Sequence, residues 1–224
     1  MFKLFFAVVA LLVMPAPPTY AGSDDLMQTA GSYSRHGRSG RAIAPVFSQI
    51  LMTSVPTGFA TVYVNTSDRQ YIRESVPEGE TVDTWTQMIT VTGAKGLASN
   101  PRVTPRIYAE GLAGDFRRAC PETFSAGRIS DVKISGHQAA IEIVSCGKSP
   151  TTEGRTSESA LIAVIRGEKD YYTIQWAERS KPSSTPIAIE TAVWAERLKL
   201  LGPIKLCPIV PGERAPYSSC IDSR

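Results

Sequence analysis

Four cysteines, two histidines and a handful of clustered charges are the residues of this 224-residue chain best suited to chemistry. A zinc site asks for close ligand pairs, such as two cysteines separated by two residues. Cys120, Cys146, Cys207 and Cys220 contain no such pair, and only His36 and His137 could assist. No metal site is expected. An even cysteine count in an exported chain reads as disulfides. Three connectivities are possible, and Cys120–Cys146 with Cys207–Cys220 is the favoured one. The first bridge would tie the end of a helix to a following strand, and the second would close a Pro-rich tail. A Cys146–His137 dyad would need a free thiol, which conflicts with complete pairing.

Other linear signatures of catalysis are absent. There is no Gly-x-Ser-x-Gly elbow, no paired-histidine zinc motif and no phosphate-cradling loop. Three residues stand out for ligand or partner binding. Arg106 and Arg117 share the outer face of a predicted helix with Glu110, where guanidinium forks could grip an anion. The competing reading is a solvated face with an Arg106–Glu110 pair. Trp85 follows polar Thr81, Asp83 and Thr84 at a predicted strand start, where an aromatic can serve a binding surface. Trp176 and Trp194 read as core. No catalytic residue and no cofactor is assigned.

The first residues set the address. Lys3 precedes an uncharged run from Leu4 to Met14, then Pro15, Pro17 and Pro18, then Thr19-Tyr20-Ala21. That is the layout of a cleavable signal peptide, ending at residue 21. Eleven apolar residues are too few for a spanning helix, which needs roughly 20. The mature chain is therefore expected in a periplasm or outside the cell. Its net charge is +2, the +3 of the full chain less Lys3. A value so near zero gives no indication of a nucleic-acid partner. A protein or other envelope component is the expected partner, and no transmembrane span is expected in the mature chain. Asn65-Thr66-Ser67 is a glycosylation sequon, relevant only in a eukaryote.

The elements that must position these residues follow from periodicity. Residues 22–42 are small and polar and read as a flexible leader. Strands are predicted over 46–54, 58–65, 69–75 and 85–92, and a helix over 102–119 with Tyr108, Leu112, Phe116 and Ala119 on one stripe. Two hairpins follow, 129–134 with 138–146 and 159–166 with 171–178. The run Ala160 to Ile165 is apolar on both faces, as in a strand covered on both sides. A last helix is predicted from Thr185 and Pro186 to Leu201, stopped by Gly202 and Pro203. Together these give an α+β domain over 43–205, one antiparallel sheet packed by two main helices, with a disulfide-closed tail over 206–224.

This element order, with Pro77-Glu78-Gly79 ahead of Trp85, resembles the PsbP-like fold of exported accessory proteins. The resemblance implies an accessory or ligand-binding role without a shared catalytic site, so it transfers no functional residue. The leading expectation is a non-enzymatic envelope accessory or binding protein. The alternatives are an extracytoplasmic hydrolase using carboxylates such as Glu110, Asp115 or Glu142, and a secreted effector.

Overall fold

β-Branched and aromatic residues alternate with polar ones along much of this chain, and strands dominate accordingly. The structure, a computed structural model, describes residues 39–223; the predicted signal and residues 22–38 of the predicted leader lie outside them. The strands are β1 (Ser39–Val46), β2 (Gln49–Pro56), β3 (Phe59–Thr66), β4 (Gln70–Pro77), β5 (Gln87–Ala94), β6 (Phe124–Ala126), β7 (Ser130–Ile134), β8 (His137–Cys146), β9 (Ser157–Arg166), β10 (Tyr171–Ser180) and β11 (Lys205–Pro208). The helices are α1 (Pro105–Ala119), α2 (Thr191–Leu201) and α3 (Ser218–Ile221).

The expected single sheet packed by two helices is not what forms. There are two sheets and, among the described residues, three α-helices. The larger sheet has eight strands in the order β3-β4-β5-β10-β9-β8-β6, with β7 also pairing β8. The smaller has three, in the order β1-β2-β11. The correction has a local cause. The run predicted as one strand over 46–54 is broken at Phe47-Ser48, a two-residue turn in which Phe47 takes φ +56°. β1 therefore folds back on β2, and it starts at Ser39, inside the stretch read as leader. β11 then adds to the other side of β2, pairing Leu206 with Leu51.

The large sheet has a core on each face. On one, α1 packs Ala109, Leu112, Ala113 and Phe116 against Ala140, Val144, Ala160, Ile162 and Val164. On the other, Leu161, Ile165, Tyr172, Ile174 and Trp176 meet Leu51 and Leu206 of the small sheet and Trp194 and Leu201 of α2. β9 lies between β8 and β10 and is buried on both faces, which is why its centre, Ala160 to Ile165, is an unbroken apolar run. Thr104 caps α1 by accepting the Ile107 N–H, and Pro105 opens its first turn. The bridges are Cys120–Cys146 (Cα–Cα 5.8 Å), from the end of α1 to β8, and Cys207–Cys220 (5.5 Å), which closes the tail.

Asp170 joins the two sheets at one end. Its carboxylate accepts from Ser48 N at 2.9 Å, the Ser48 hydroxyl at 2.5 Å and Gly96 N at 2.7 Å. Arg73 makes a second link, donating to Thr53 Oγ1 at 3.3 Å. The helix predicted from Thr185 begins later than expected, as α2 at Thr191. The Thr185-Pro186 signal is overridden because its neighbours bond elsewhere. Ser183 N donates to Gly147 O at 2.8 Å, and the Ser125 hydroxyl donates to Ile187 O at 2.5 Å.

Candidate functional site

The three residues singled out in sequence do not converge on one site. Arg106 and Arg117 lie along α1, and Trp85 lies in the loop before β5. Arg106 projects from the first turn of α1 toward β7. Its guanidinium donates to Asp131 Oδ2 at 2.6 Å and to Ile129 O at 3.4 Å. The pair walls an open groove of about 590 Å³ with Thr104, Lys133 and Gln138 at its sides. Both side chains are well exposed, so solvent screening keeps the pair's contribution to stability small. Arg117, about three turns further along, lies over the Phe124 ring, 5.1 Å from its centroid.

Glu142 sits beneath this side of α1. It is on β8 between the α1-facing Ala140 and Val144 and is only 5% exposed. Its Oε2 has no hydrogen-bond partner. Burial raises its pKa to about 7, and nearby Glu110 pushes it the same way, while Arg117 and Arg106 oppose the rise. Of the three carboxylates considered for hydrolysis, Glu110 and Glu142 are thus neighbours. Asp115 is instead bonded to Arg118. Neither Glu142 nor His137 lines the groove.

A carboxyl that prefers its proton when folded makes stability fall with rising pH. Between about pH 4.5 and 7 the native Glu142 holds a proton that the unfolded chain has lost, so ∂ΔG/∂pH is negative there. Glu142→Gln is expected to flatten this slope and to raise stability at pH 8 by about 2 kcal/mol. Urea unfolding of both proteins at pH 5 and pH 8 checks it. Equal slopes for the two would show that Glu142 ionises normally.

Trp85 belongs to a different assembly. The Arg179 guanidinium lies 3.7 Å from its ring centroid and shields it, leaving Trp85 only 7% exposed. Arg179 in turn approaches Glu158 Oε2 at 3.5 Å and donates to Thr151 Oγ1 at 3.1 Å. Ser149 donates to Glu158 at 3.1 Å. Burial pushes the Glu158 carboxyl up and the Arg179 guanidinium down, each opposed by the charge of the other. Above this stack is a shallow cavity of about 320 Å³ whose rim includes Asp83, Thr86, Thr152 and Thr156. Arg179 and Glu158 each lie one residue outside the strands predicted over 171–178 and 159–166, and no local signal in the sequence marks them.

A further feature is the edge strand β3. Val62, Tyr63 and Val64 are 39, 43 and 48% exposed, and β3 pairs only with β4 among the described residues. Alternation identifies such a strand but not its place at an edge. Among the described residues no group of three or more His, Cys, Asp or Glu side chains is arranged to hold a metal ion. No helix there is long and apolar enough to cross a membrane.

Comparison with protein-family models gives no match, and comparison with curated proteins gives none either. Among solved structures, the Ran-binding protein Mog1p of Saccharomyces cerevisiae is 18% identical, over 66% of this chain and 77% of that one, with a TM-score of 0.38. LpqN, involved in cell envelope biogenesis of Mycobacterium tuberculosis, is 13% identical over 86% of this chain and 100% of that one, with a TM-score of 0.44. Likenesses this distant carry no inference about the family or role of this chain.

Proposed function

We propose that this chain is an exported accessory protein of the cell envelope that acts by binding another protein, with no chemistry of its own. The observation that carries this reading is the exposed apolar run Val62-Tyr63-Val64 on β3, an outer strand of the large sheet. An edge strand offers a row of main-chain donors and acceptors to any extended segment that reaches it. Outer strands of a sheet are commonly blunted by lysine, proline or an inward charge. β3 reads Phe-Ala-Thr-Val-Tyr-Val-Asn-Thr and carries none of these. Its consecutive exposed Val62, Tyr63 and Val64 add apolar contact area on both sides of the strand.

Two disulfides fit a location outside the cytosol, where such bonds persist. The engaged state of Arg106, Arg117 and Trp85 also favours a surface docking mode. Each already has an internal partner, so an incoming ligand would have to displace Asp131, Phe124 or Arg179.

The test is comparative capture from the native envelope fraction. The mature protein should retain at least one protein that Val64→Lys, folded and of equal thermal midpoint, retains at least tenfold less. Retention of the same proteins in equal amount by both would remove β3 from the binding surface.

A further inference from the structure

We infer that a second copy of this chain pairs with β7, at the end of the large sheet away from β3, strand to strand and antiparallel about a two-fold axis through Val132. None of the residues of β3 takes part.

Among the described residues β7 pairs with β8 alone. The two-residue turn Ser135-Gly136, with both residues left-handed, closes on Ile134 and His137 and makes them a hydrogen-bonded pair. Pairs alternate along an antiparallel ladder, so Val132 and Ser130 also bond to β8. The main-chain N–H and C=O of Asp131 and Lys133 therefore point away from β8. The side chains of these two residues share the face of Ala140, toward α1. Val132 lies beside Ala139 on the other face.

Charges on an outer strand commonly discourage pairing. Here the two charges differ in sign and stand two residues apart, which makes the strand complementary to itself. A two-fold axis through Val132 sets Asp131 of each copy opposite Lys133 of the other. Those are the residues whose main-chain groups point outward, so each facing pair exchanges its main-chain bonds as well as its side-chain attraction. Between the two pairs Val132 meets its own copy, a β-branched contact on the opposite face. A shift of two residues, the smallest that keeps the hydrogen bonds, would set Asp131 against Asp131 or Lys133 against Lys133. A parallel pairing would set like charges beside each other. The side chains are poised for the favoured register. Arg106 uses only Oδ2 of Asp131, from Nε at 3.2 Å and Nη2 at 2.6 Å, which leaves Oδ1 for an incoming ammonium. Lys133 is exposed and has no ion-pair partner among the described residues. In the dimer Arg106, Asp131 and the second copy's Lys133 form a row of alternating charge, twice. With only five residues in β7 the interface is small and the association weak.

Sedimentation equilibrium of the mature protein should show a reversible monomer–dimer equilibrium. Asp131→Lys and Lys133→Asp change exposed positions and should keep the wild-type circular dichroism. Each alone should dimerise at least about fivefold more weakly, because like charges then face each other in both pairs. Mixed in equal amounts, the two variants should form a heterodimer as tight as the wild-type dimer, since every facing pair is again opposite in sign. Residues with a merely structural role would give no such recovery on mixing. A cysteine scan reads the register directly, because all four native cysteines are bridged. Val132→Cys should oxidise to a disulfide-linked dimer well before Lys133→Cys does, since position 132 faces itself and position 133 does not. A wild-type protein that stays monomeric up to about 1 mM overturns the inference. So does a dimer indifferent to both single reversals, a pair of variants that fails to associate on mixing, or equal crosslinking at positions 132 and 133.

Discussion

Asp170→Ala is expected to lower stability at pH 7 by about 3–5 kcal/mol, enough to threaten folding of a domain this size. The carboxylate is 1% exposed and holds two main-chain donors and a hydroxyl that have nowhere else to go. Ser48 N belongs to the β1–β2 turn, Gly96 N to the segment after β5, and Asp170 itself leads into β10. Removing it strands those donors and lets the turn at Phe47, already at φ +56°, swing away from the large sheet. Asp170→Asn keeps the volume but replaces one acceptor by a donor, so it should cost nearly as much. The pH dependence gives an independent check. Burial pushes the Asp170 carboxyl up, but hydrogen bonds from Ser48, Gly96 and Tyr172 outweigh it, and its folded pKa lies below the ordinary value. The stability it contributes is therefore full above about pH 4 and is lost as pH falls through the folded value. Guanidinium unfolding at pH 7 and pH 3 should show the gap between wild type and Asp170→Asn closing at the lower pH. A gap that stays constant would mean that the carboxylate charge has no part in holding the sheets.

The small sheet is also where sequence reading and structure part. The hairpins β7–β8 and β9–β10 were legible because alternation and turn residues agree within a short stretch. Ser135-Gly136 takes two left-handed residues between paired Ile134 and His137. The Phe47-Ser48 turn carries no such chemistry, and what stabilises it is Asp170, 122 residues away. β1 hides in a Gly-, Ser- and Arg-containing stretch. β11 is four residues long and gains its identity only by pairing with Gln49–Met52 of β2. Local pattern cannot carry information about partners more than 150 residues off. The helix start was misplaced for the same reason, since Ser183 and Ile187 are claimed by Gly147 and Ser125. The candidate residues follow the rule. Arg106, Arg117 and Trp85 stand out by type and position, but their types could not say that Asp131, Phe124 and Arg179 already engage them.

Arg179→Met should be nearly as damaging as loss of Asp170, and its pH profile should run the opposite way. The Arg179 and Glu158 side chains are 11 and 5% exposed, so each charge depends on the other. Breaking such a buried pair from one side costs about 3–5 kcal/mol, whereas replacing both by apolar groups of similar volume can be neutral. Without Arg179, Glu158 loses the attraction that opposes burial, and its folded pKa, already raised, rises further. The native state then takes up a proton that the unfolded chain does not hold, so the variant loses stability as pH rises above about 4.5 and recovers it toward acid. Glu158→Gln leaves an arginine that stays charged at every accessible pH, and its cost should barely change with pH. Arg179→Met with Glu158→Leu should regain most of the loss. A double-mutant cycle by urea unfolding at pH 5 and pH 8 measures all three, and additive losses in the double variant would show that the charges are not coupled. Trp85 offers a local readout, because Arg179 covers its ring at 3.7 Å. In Arg179→Met the indole should become more quenchable by acrylamide. The stack is thus a support for the loop before β5.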